Sequence, residues 1–578
     1  MNAFRMFNCK VFFVAFLLIL PLPAFAAPPT PPTDAGQLLR EQQPQRQLPQ
    51  SFPEEPKVVE RPALTDTGVK VKVTEIRFTG FEGLATQGEL RPLVADAIGK
   101  ALTFRELQAL AGRVTAYLRQ KGYFLARAYL PKQDVSHGII EIAIVQGRLE
   151  GEAVINRAAG VRLQENVPRE IMKSAVQAGS PVQDNKLERA LLLMNDLPSI
   201  SAQASLSPGT VPGETKLTIN VDEGPLFSGG VWVDNYGNRF TGDWRGNAAA
   251  YLNDPLKIGD QASLQIIGAQ GLIQGHAGYS LPIGSQGLRA SFGLTGMSYE
   301  VLESLSPLES KGDAINANAG LSYPIVRSRI ANLTAMLGYE YDIYKDEVLG
   351  SQIHNKRVQS VSAGLSGDYY DRYFGGGYSV AGLTVTTGYL DLSRVDADKA
   401  QDDDTAHTNG QFTRLNINLA RLQRLTDALA LSLSYSGQFA TGNLDSSQKF
   451  FLGGPYAVRA YPVGEAPCDE GHLMSAELRY NIALTPVLGA LQIIGFYDAG
   501  YAILHKYAWG AIGTATGENQ YWISGIGGGV SVSRPSLYAL RFMYAHRVGD
   551  NPGRGTDGNN ADGRDDKGHF WLLASLYF

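Results

Sequence analysis

The sequence predicts two small α+β domains followed by a transmembrane antiparallel β-barrel of about 16 strands. Three observations lead to this fold class: glycine makes up 64 of the 578 residues, all five Trp and all but three of the 27 Tyr lie after Gly224, and apolar residues alternate with polar ones throughout residues 225–578. High glycine content with a period of two is typical of turn-rich β structure. Alternating segments of about ten residues suit strands between lipid and a wet lumen.

The first 26 residues are predicted to be an export signal. Arg5 and Lys10 precede the apolar run 11–20, and the run ends before Ala24-Phe25-Ala26, a small-residue cleavage site. The run is about half of the ~20 residues that a spanning helix needs, so a membrane anchor is the weaker interpretation. Because Cys9 would be removed with the signal, Cys468 has no partner for an intrachain disulfide.

The next segment, residues 27–68, is rich in Pro and Gln and contains one short helix candidate. The helix is predicted over residues 34–43, with Thr33 or Asp34 as its cap and Pro44 as its end. A plain disordered leader fits the composition equally well. The segment is therefore interpreted as a linker that carries, at most, one helix.

Residues 69–148 are predicted to form a β-α-α-β-β domain. Thr103 and Glu106 have the spacing of a capping box and mark the start of its second helix. A sheet covered by helices on one face leaves a strand edge open, and such an edge can bind an extended peptide. The predicted elements are strands over 73–78, 123–130 and 140–144 and helices over 90–98 and 103–121.

Residues 149–224 repeat this plan and are predicted to be a second domain of the same kind. Asp196-Leu197-Pro198 ends its second helix, and Pro208-Gly209 makes a turn before the closing hairpin. The predicted elements are a strand over 153–155, helices over 168–177 and 184–195, and a last strand over 217–221.

The alternation in residues 225–578 is clearest where Leu429, Leu431 and Leu433 face one way and Ser432 and Ser434 face the other. A soluble β-sandwich can alternate in the same way, but here the pattern continues to the end of the chain with no helical layer beside it. A closed barrel satisfies every backbone group in lipid. At about 22 residues for a strand and its connection, the region holds roughly 16 strands, an even number that places both ends on one side.

Several classes of function are disfavoured. The net charge is −5 and the pI is about 6.0, with no basic stripe for a nucleic acid. The sequence has no G-x-S-x-G, P-loop or H-E-x-x-H motif, so we predict no catalytic site, no nucleotide, no cofactor and no metal. The segment 557–563 resembles a calcium loop, but Ala561 occupies a ligand position, and a solvated loop is the better interpretation.

Two short motifs stand about 40 residues apart in the barrel region. Val458-Arg459-Ala460-Tyr461 lies in the glycine-rich loop 451–471, and Phe496, Asp498 and Gly500 follow in a strand. A guanidinium in a confined lumen needs an acceptor, and a carboxylate that binds it through two hydrogen bonds is its best match. Spacing alone leaves two readings open: an Arg459–Asp498 ion pair, or two separate solvated residues.

Four groups of residues together, in this order, resemble the outer-membrane transporters of two-partner secretion, the haemolysin-activator (ShlB/FhaC/HecB) type. This class belongs to the barrel superfamily with polypeptide-transport-associated (POTRA) domains. Two of the groups are domain signatures, one around Leu130-Pro131-Lys132-Gln133-Asp134 and Gly138 in the first domain and one in residues 187–198 of the second. The other two are the barrel motifs. Val458-Arg459-Ala460-Tyr461 is similar to the family's VRGY motif, and Phe496, Asp498 and Gly500 are similar to its F-x-D-x-G motif.

The resemblance implies a location and a mechanism. The barrel would lie in the outer membrane of a Gram-negative bacterium, in contact with its lipid, and the two POTRA domains would capture an unfolded exoprotein in the periplasm. The loop would fold into the lumen so that Arg459 pairs with Asp498, and the helix 34–43 would plug the barrel. Ala460 replaces the family's Gly, which would cost about 1 kcal/mol if the position needs a positive φ. An insertase of the same superfamily and a diffusion porin are the alternatives.

Overall fold

The computed structural model of the chain describes residues 33–43, 70–211, 213–485 and 487–578. The predicted export signal, residues 1–26, and most of the segment 27–68 lie outside the described residues. Within the described ranges, no helix is long and apolar enough to cross a membrane.

The first described element is a helix of seven residues, α1 (Ala35–Glu41). Asp34 caps it, since its carboxylate accepts a hydrogen bond of 2.8 Å from the Gln37 amide. The Gln43 amide donates to the Arg40 carbonyl, and this shorter-range bond tightens the chain after the last turn. The helix is therefore shorter than the predicted 34–43.

The first α/β unit follows the β-α-α-β-β plan with two added short strands. Its elements are β1 (Lys70–Lys72), β2 (Glu75–Thr79), α2 (Gln87–Leu90), β3 (Ala101–Thr103), α3 (Phe104–Gln120), β4 (Arg127–Tyr129) and β5 (Ile139–Val145). The predicted capping box is present, because the Thr103 amide donates to Glu106 at 2.7 Å and the Glu106 amide donates to the Thr103 hydroxyl at 3.3 Å.

Two predicted elements of this unit differ from the structure. The helix expected over 90–98 is replaced by α2 and two 3-10 turns, Arg91–Leu93 and Ala95–Ala97. Pro92 lacks the amide that an α-helix would need inside this segment, so the chain tightens there instead. The strand expected over 123–130 is reduced to β4, since residues 121–126 form turns.

The second α/β unit has its sheet centred on its last strand. The elements are β6 (Arg148–Leu149), β7 (Val154–Arg157), α4 (Asn166–Ala175), α5 (Asp184–Asn195), β8 (Ile200–Pro208) and β9 (Glu214–Glu223). β6 and β7 pair with β9 in parallel on one side, and β8 pairs with it antiparallel on the other. The bounds of α5 coincide with the prediction.

The rest of the chain forms a closed antiparallel barrel of 16 strands, as predicted. Each strand pairs with the next along the chain, and the last pairs with the first through residues 230–234 and 573–577. The strands, with one short helix between the ninth and the tenth, are β10 (Phe227–Asp234), β11 (Arg245–Asn253), β12 (Gln261–Ala269), β13 (Leu272–Ile283), β14 (Leu288–Glu300), β15 (Lys311–Arg327), β16 (Ala331–Val348), β17 (Ser351–Asp371), β18 (Gly377–Asp391), α6 (Asp396–Asp404), β19 (Gly410–Arg424), β20 (Leu429–Ala440), β21 (Glu470–Ala483), β22 (Ala490–Ile503), β23 (Gln520–Arg534), β24 (Tyr538–Arg547) and β25 (Gly568–Tyr577).

The two rims of the barrel differ. The near rim, where β10 begins and β25 ends, has short turns such as 284–287 and 328–330, whereas the far rim carries long loops such as 392–409 and 548–567. The wall alternates as the sequence indicates: Leu337 and Tyr339 on its outer face are about half exposed. An even number of strands returns both ends of the barrel to the near rim.

The second α/β unit is held directly against the near rim. Arg327, at the end of β15, binds the Asp196 carboxylate through two hydrogen bonds of 2.8 and 2.7 Å. Arg189 on α5 donates to the Pro324 carbonyl at 2.7 Å. The unit is therefore held to the rim through α5 and the residue after it, and three residues separate its last strand, β9, from β10.

Candidate functional site in the barrel lumen

A long loop from the far rim folds back into the barrel. This lumen loop, residues 441–469, joins β20 to β21 and has a small apolar core of its own, with Leu452, Val458, Tyr461 and Cys468 fully buried. The Val458 amide donates to the Leu452 carbonyl at 2.8 Å, which closes the segment 452–458 just before the loop tip. Two residues of the predicted motif, Val458 and Tyr461, thus pack the loop together.

Arg459 lies at the tip of the lumen loop and faces the barrel wall. Its Nε and Nη2 donate to the two oxygens of Asp498, both at 2.8 Å, and its backbone amide donates to the same carboxylate at 3.2 Å. Asp498 is fully buried and Arg459 is 7 % exposed. The structure therefore brings the two predicted residues together in a bidentate ion pair.

The remaining donors of the guanidinium are also paired. Nη1 donates to Glu477 on β21 at 2.8 Å, and Nη2 donates to the Ser475 hydroxyl at 3.2 Å. The guanidinium carbon lies 3.3 Å from the ring centre of Phe496, a cation–π contact. A buried charge is tolerated only when it is fully paired. Here Arg459 lies between two carboxylates and an aromatic face, and Arg479 also pairs with Glu477, at 2.6 Å.

The three residues of the strand motif, Phe496, Asp498 and Gly500, form the lumen-facing surface of β22 that contacts the loop. Asp498 binds the loop tip, and Phe496 lies under its guanidinium. A Cβ on Gly500 would come within 3.1 Å of Leu452 and 3.2 Å of Val458. Glycine at this position therefore lets the apolar core of the loop approach the wall.

Ala460, which replaces the glycine of the resembled motif, carries no backbone strain. Its φ is not positive, whereas Gly454, Gly464 and Ala466 in the same loop have positive φ. The cost expected for a left-handed alanine does not arise here. The carbonyl of the preceding Arg459 accepts a hydrogen bond of 2.8 Å from the Trp571 indole on β25, so the loop tip is bound to two separate regions of the wall.

The signature of the first α/β unit lies outside the barrel and shapes its own sheet. Gln133 donates to the Glu141 carbonyl at 2.8 Å and accepts from the Glu141 amide at 2.7 Å, so its side chain extends the sheet beside β5. Asp134 accepts from the Ser136 amide at 2.9 Å, and hydrogen bonds from Ser136 lower the pKa of Asp134.

Pro131 and Gly138 complete that signature. The Pro131 carbonyl accepts a hydrogen bond of 3.4 Å from Gln133. Gly138 has a φ of +73°, and a Cβ there would lie 2.4 Å from the Lys72 carbonyl oxygen. These residues therefore shape the turn before β5, and the structure does not bring them to the lumen motifs.

Helix α1 occupies the same lumen. Ala35, Leu38 and Leu39 are buried among inward-facing wall residues, including Tyr299 and Tyr344. At its start, Lys356 on β17 binds Asp34 at 3.1 Å and the loop residue Asp445 at 2.7 Å. No motif marks Lys356 in the sequence, because its pairing depends on segments that are distant along the chain.

The other end of α1 and its flank are also held. Glu41 accepts from Asn238 at 3.2 Å, and Gln42 accepts from Arg245 on β11. The Ser446 hydroxyl of the lumen loop donates to Asp34 at 2.6 Å. A Cβ on Gly36 would lie 2.8 Å from the Ser447 Cβ, so the helix and the lumen loop are in direct contact.

A polar cavity of about 360 Å³ lies beside the contact between the end of α1 and the lumen loop. Arg40 and Glu41 line it on the helix side, and Gly454 and Tyr456 line it on the loop side. At about 30 Å³ per water molecule, it can hold roughly a dozen waters. Within the ranges that the structure describes, no group of three or more His, Cys, Asp or Glu residues is arranged to bind a metal ion.

Two families of protein domains match this chain. The profile of the haemolysin secretion/activation protein ShlB/FhaC/HecB matches residues 213–519, and that of the ShlB-type POTRA domain matches residues 71–147. The first match covers the last strand of the second α/β unit, β9, together with most of the barrel and both lumen motifs.

Two transporters are similar to this chain over most of their length. The heme/hemopexin transporter protein HuxB of Haemophilus influenzae strain 86-028NP is 27 % identical over 491 residues, which cover 84 % of this chain and 83 % of HuxB. The outer membrane transporter CdiB of Dickeya dadantii strain 3937 is 24 % identical over 513 residues, 85 % of this chain and 89 % of that protein. The solved structure of CdiB from Escherichia coli has the same fold, with a TM-score of 0.70 at 19 % identity over 94 % of this chain and 96 % of that one.

Proposed function

Because this chain belongs to the haemolysin secretion/activation protein family ShlB/FhaC/HecB, we propose that it exports an unfolded secreted protein through its barrel. The family is one of two-partner secretion transporters, and the chain is an outer-membrane protein with its α/β units in the periplasm. The near rim is therefore the periplasmic opening and the far rim faces outward. Two features carry the proposal. The α/β unit attached to the rim of that opening has a sheet with an open edge, and the lumen of the barrel holds a short helix.

The cargo would be captured at the edge of the second unit. β8 runs antiparallel to β9, and its other side has no partner strand among the described residues. Its nine residues include no charged side chain, although charges are the usual protection of an exposed edge. An extended segment of an unfolded protein can add to such an edge through main-chain hydrogen bonds, with little demand on its sequence.

Transport would then require α1 to leave the lumen. The helix lies between the periplasmic opening and the far-rim loops, and it is joined to the described remainder of the chain through the segment 44–69. Arg459 and Asp498 would hold the lumen loop in place while the helix moves. We predict no nucleotide site, and folding of the cargo outside the cell is the proposed source of directionality.

The name of HuxB refers to heme/hemopexin transport, whereas the name of CdiB specifies no cargo. The proposal therefore concerns secreted proteins as a class and no particular cargo. Two rivals predict different phenotypes. An insertase would place other barrels in the outer membrane, and a porin would pass only small solutes.

The test is deletion of the gene in its own host, followed by mass spectrometry of the culture medium and of the outer membrane. We expect the loss of one large protein from the medium and its return with the intact chain. Broad depletion of outer-membrane barrels would make the protein an insertase, and no change in either fraction would favour the porin.

The capture edge has its own pair of variants in the same assay. Ser205→Lys places a charge on the exposed face of β8, and we expect secretion to fall because an edge charge disfavours strand addition. Thr218→Lys places the same charge on β9, directly opposite Ser205 but flanked by strands on both sides. Equal secretion by the two variants would contradict capture at β8.

A further inference from the structure

The surface under the lumen loop continues from β22 onto β23, where two glycines face the lumen. A Cβ on Gly527 would come within 2.5 Å of the Phe496 ring, so the ring occupies the space that a side chain at 527 would need. A Cβ on Gly525 would come within 2.5 Å of the Ala460 Cβ. The tip of the lumen loop therefore rests directly on the backbone of β23.

The backbone conformation at position 525 does not require glycine. Its φ is not positive, so an alanine could adopt the same conformation. Its side-chain space is taken by one atom, the Ala460 methyl. The next contacts of a Cβ at 525, with the His546 carbonyl oxygen at 3.3 Å and the Ala460 nitrogen at 3.5 Å, are tight but possible.

The position of Gly525 connects it to the ion pair. Gly525 is the register partner of Asp498 across β22 and β23. Ala460 is 1 % exposed and directly follows Arg459, so a shift of the Ala460 backbone is transmitted to Arg459. A side chain at 525 would therefore lift Ala460 and draw Arg459 away from the Asp498 carboxylate.

We infer that Gly525 is a positioning residue of the lumen loop and that it is matched to Ala460. This chain accommodates the methyl group of Ala460 because residue 525 has no side chain. The consequence for export rests on the proposed function, whereas the matching itself does not. The prediction is reciprocal: Gly525→Ala disturbs the loop, and Ala460→Gly in the same chain restores it.

The experiment measures hydrogen exchange of the loop amides, residues 452–462, by mass spectrometry on the purified full-length protein in detergent. We expect Gly525→Ala to accelerate their exchange about tenfold or more, because overpacking opens the contact. We expect the double variant Ala460→Gly/Gly525→Ala to return to the exchange of Ala460→Gly alone. Secretion, assayed separately in the host, should follow the same order.

The matched control is Gly495→Ala, on the neighbouring strand β22, where an added Cβ meets nothing within 4 Å. It should leave loop exchange unchanged. Unchanged exchange in Gly525→Ala would overturn the inference, and so would a double variant that remains as exposed as the single one. If Gly525→Ala fails to fold, recovery of the folded barrel in the double variant supports the matching, and its absence overturns it. Normal secretion after gene deletion would contradict export and leave the exchange result intact.

Discussion

The barrel lumen contains two occupants, and they are held in different ways. The lumen loop is attached to the wall at both ends and rests on backbone, with a fully paired guanidinium at its tip and an apolar core that includes Val458 and Tyr461. Helix α1 buries three apolar side chains and depends on polar contacts at its two ends, chiefly through Asp34 and Glu41. The first arrangement suits a part that stays in place, and the second suits a part that can be released.

The helix and the lumen loop differ in which interactions replace their contacts once each has moved away from the wall. A polar group that leaves the lumen regains hydrogen bonds to water, so the net loss for each contact is small. A buried ion pair that opens while its carboxylates remain in the wall leaves them unpaired, which is costly. Asp498 remains in the wall without a cation if the loop lifts, and Glu477 keeps only its pair with Arg479, whereas Asp34 leaves together with the helix.

The largest effect is expected for Arg459→Ala. It removes the cation that pairs with Asp498 and Glu477, and breaking a buried pair from one side costs about 3–5 kcal/mol. We expect the loop amides 452–462 to lose their protection from hydrogen exchange and secretion to fail. Arg421→Ala is the control, because the Arg421–Asp371 pair lies at the near rim and Arg421 is partly exposed. A protected loop in Arg459→Ala would remove the distinction between the two occupants.

A smaller effect, which falls on the helix and on the start of the lumen loop at Asp445 but not on the loop tip, is expected for Lys356→Met. The change leaves Asp34 and Asp445 close together without their shared cation, and hydrogen bonds to charged groups contribute about 1.5–3 kcal/mol. The helix should leave the lumen more often, so the ion conductance of the protein in planar bilayers should rise while loop exchange stays low.

Lys506→Met serves as the comparison for that experiment, since Lys506 pairs with Glu470 and its ion pair does not involve the helix. Its conductance should match that of the parent. If Lys356→Met exposes the loop as strongly as it frees the helix, the two occupants form one unit and the contrast between them is wrong.

The smallest effect is expected for Ser446→Ala, which removes a direct link between the loop and the helix. The Ser446 hydroxyl donates to Asp34, and its loss should cost about 1–2 kcal/mol. We expect a modest rise in conductance and no change in loop exchange. Ser436→Ala, which removes a hydrogen bond to Asn418 on the wall, should change neither quantity. A rise in loop exchange would show that the helix stabilises the loop.

The sequence predicted best where a pattern is local. The end of α5 follows from Asp196-Leu197-Pro198 and its helical type from its apolar face, whereas the helix expected over 90–98 is wrong because Pro92 interrupts it. The barrel follows from a period of two that continues over the whole C-terminal region. Periodicity identifies the type of an element and says little about its irregular ends.

The candidate site was predictable in part for the same reason. Arg459 and Asp498 stand in recognisable motifs, so their approach was expected before the structure placed them 2.8 Å apart. Lys356 and Gly525 lie in no motif, and their roles depend on which residues the barrel brings opposite them. A glycine that matters for the space it leaves cannot be told from any other glycine in a chain with 64 of them.

The matching of Gly525 and Ala460 also restricts the history of this chain. A methyl at either position alone fits the space between loop and wall, but a methyl at both does not. An ancestor with glycine at 460 and a side chain at 525 could reach the present pair if residue 525 became glycine before residue 460 became alanine. The reverse order passes through an overpacked intermediate. Reconstructed ancestral sequences should therefore contain glycine at both positions immediately before Ala460 arose.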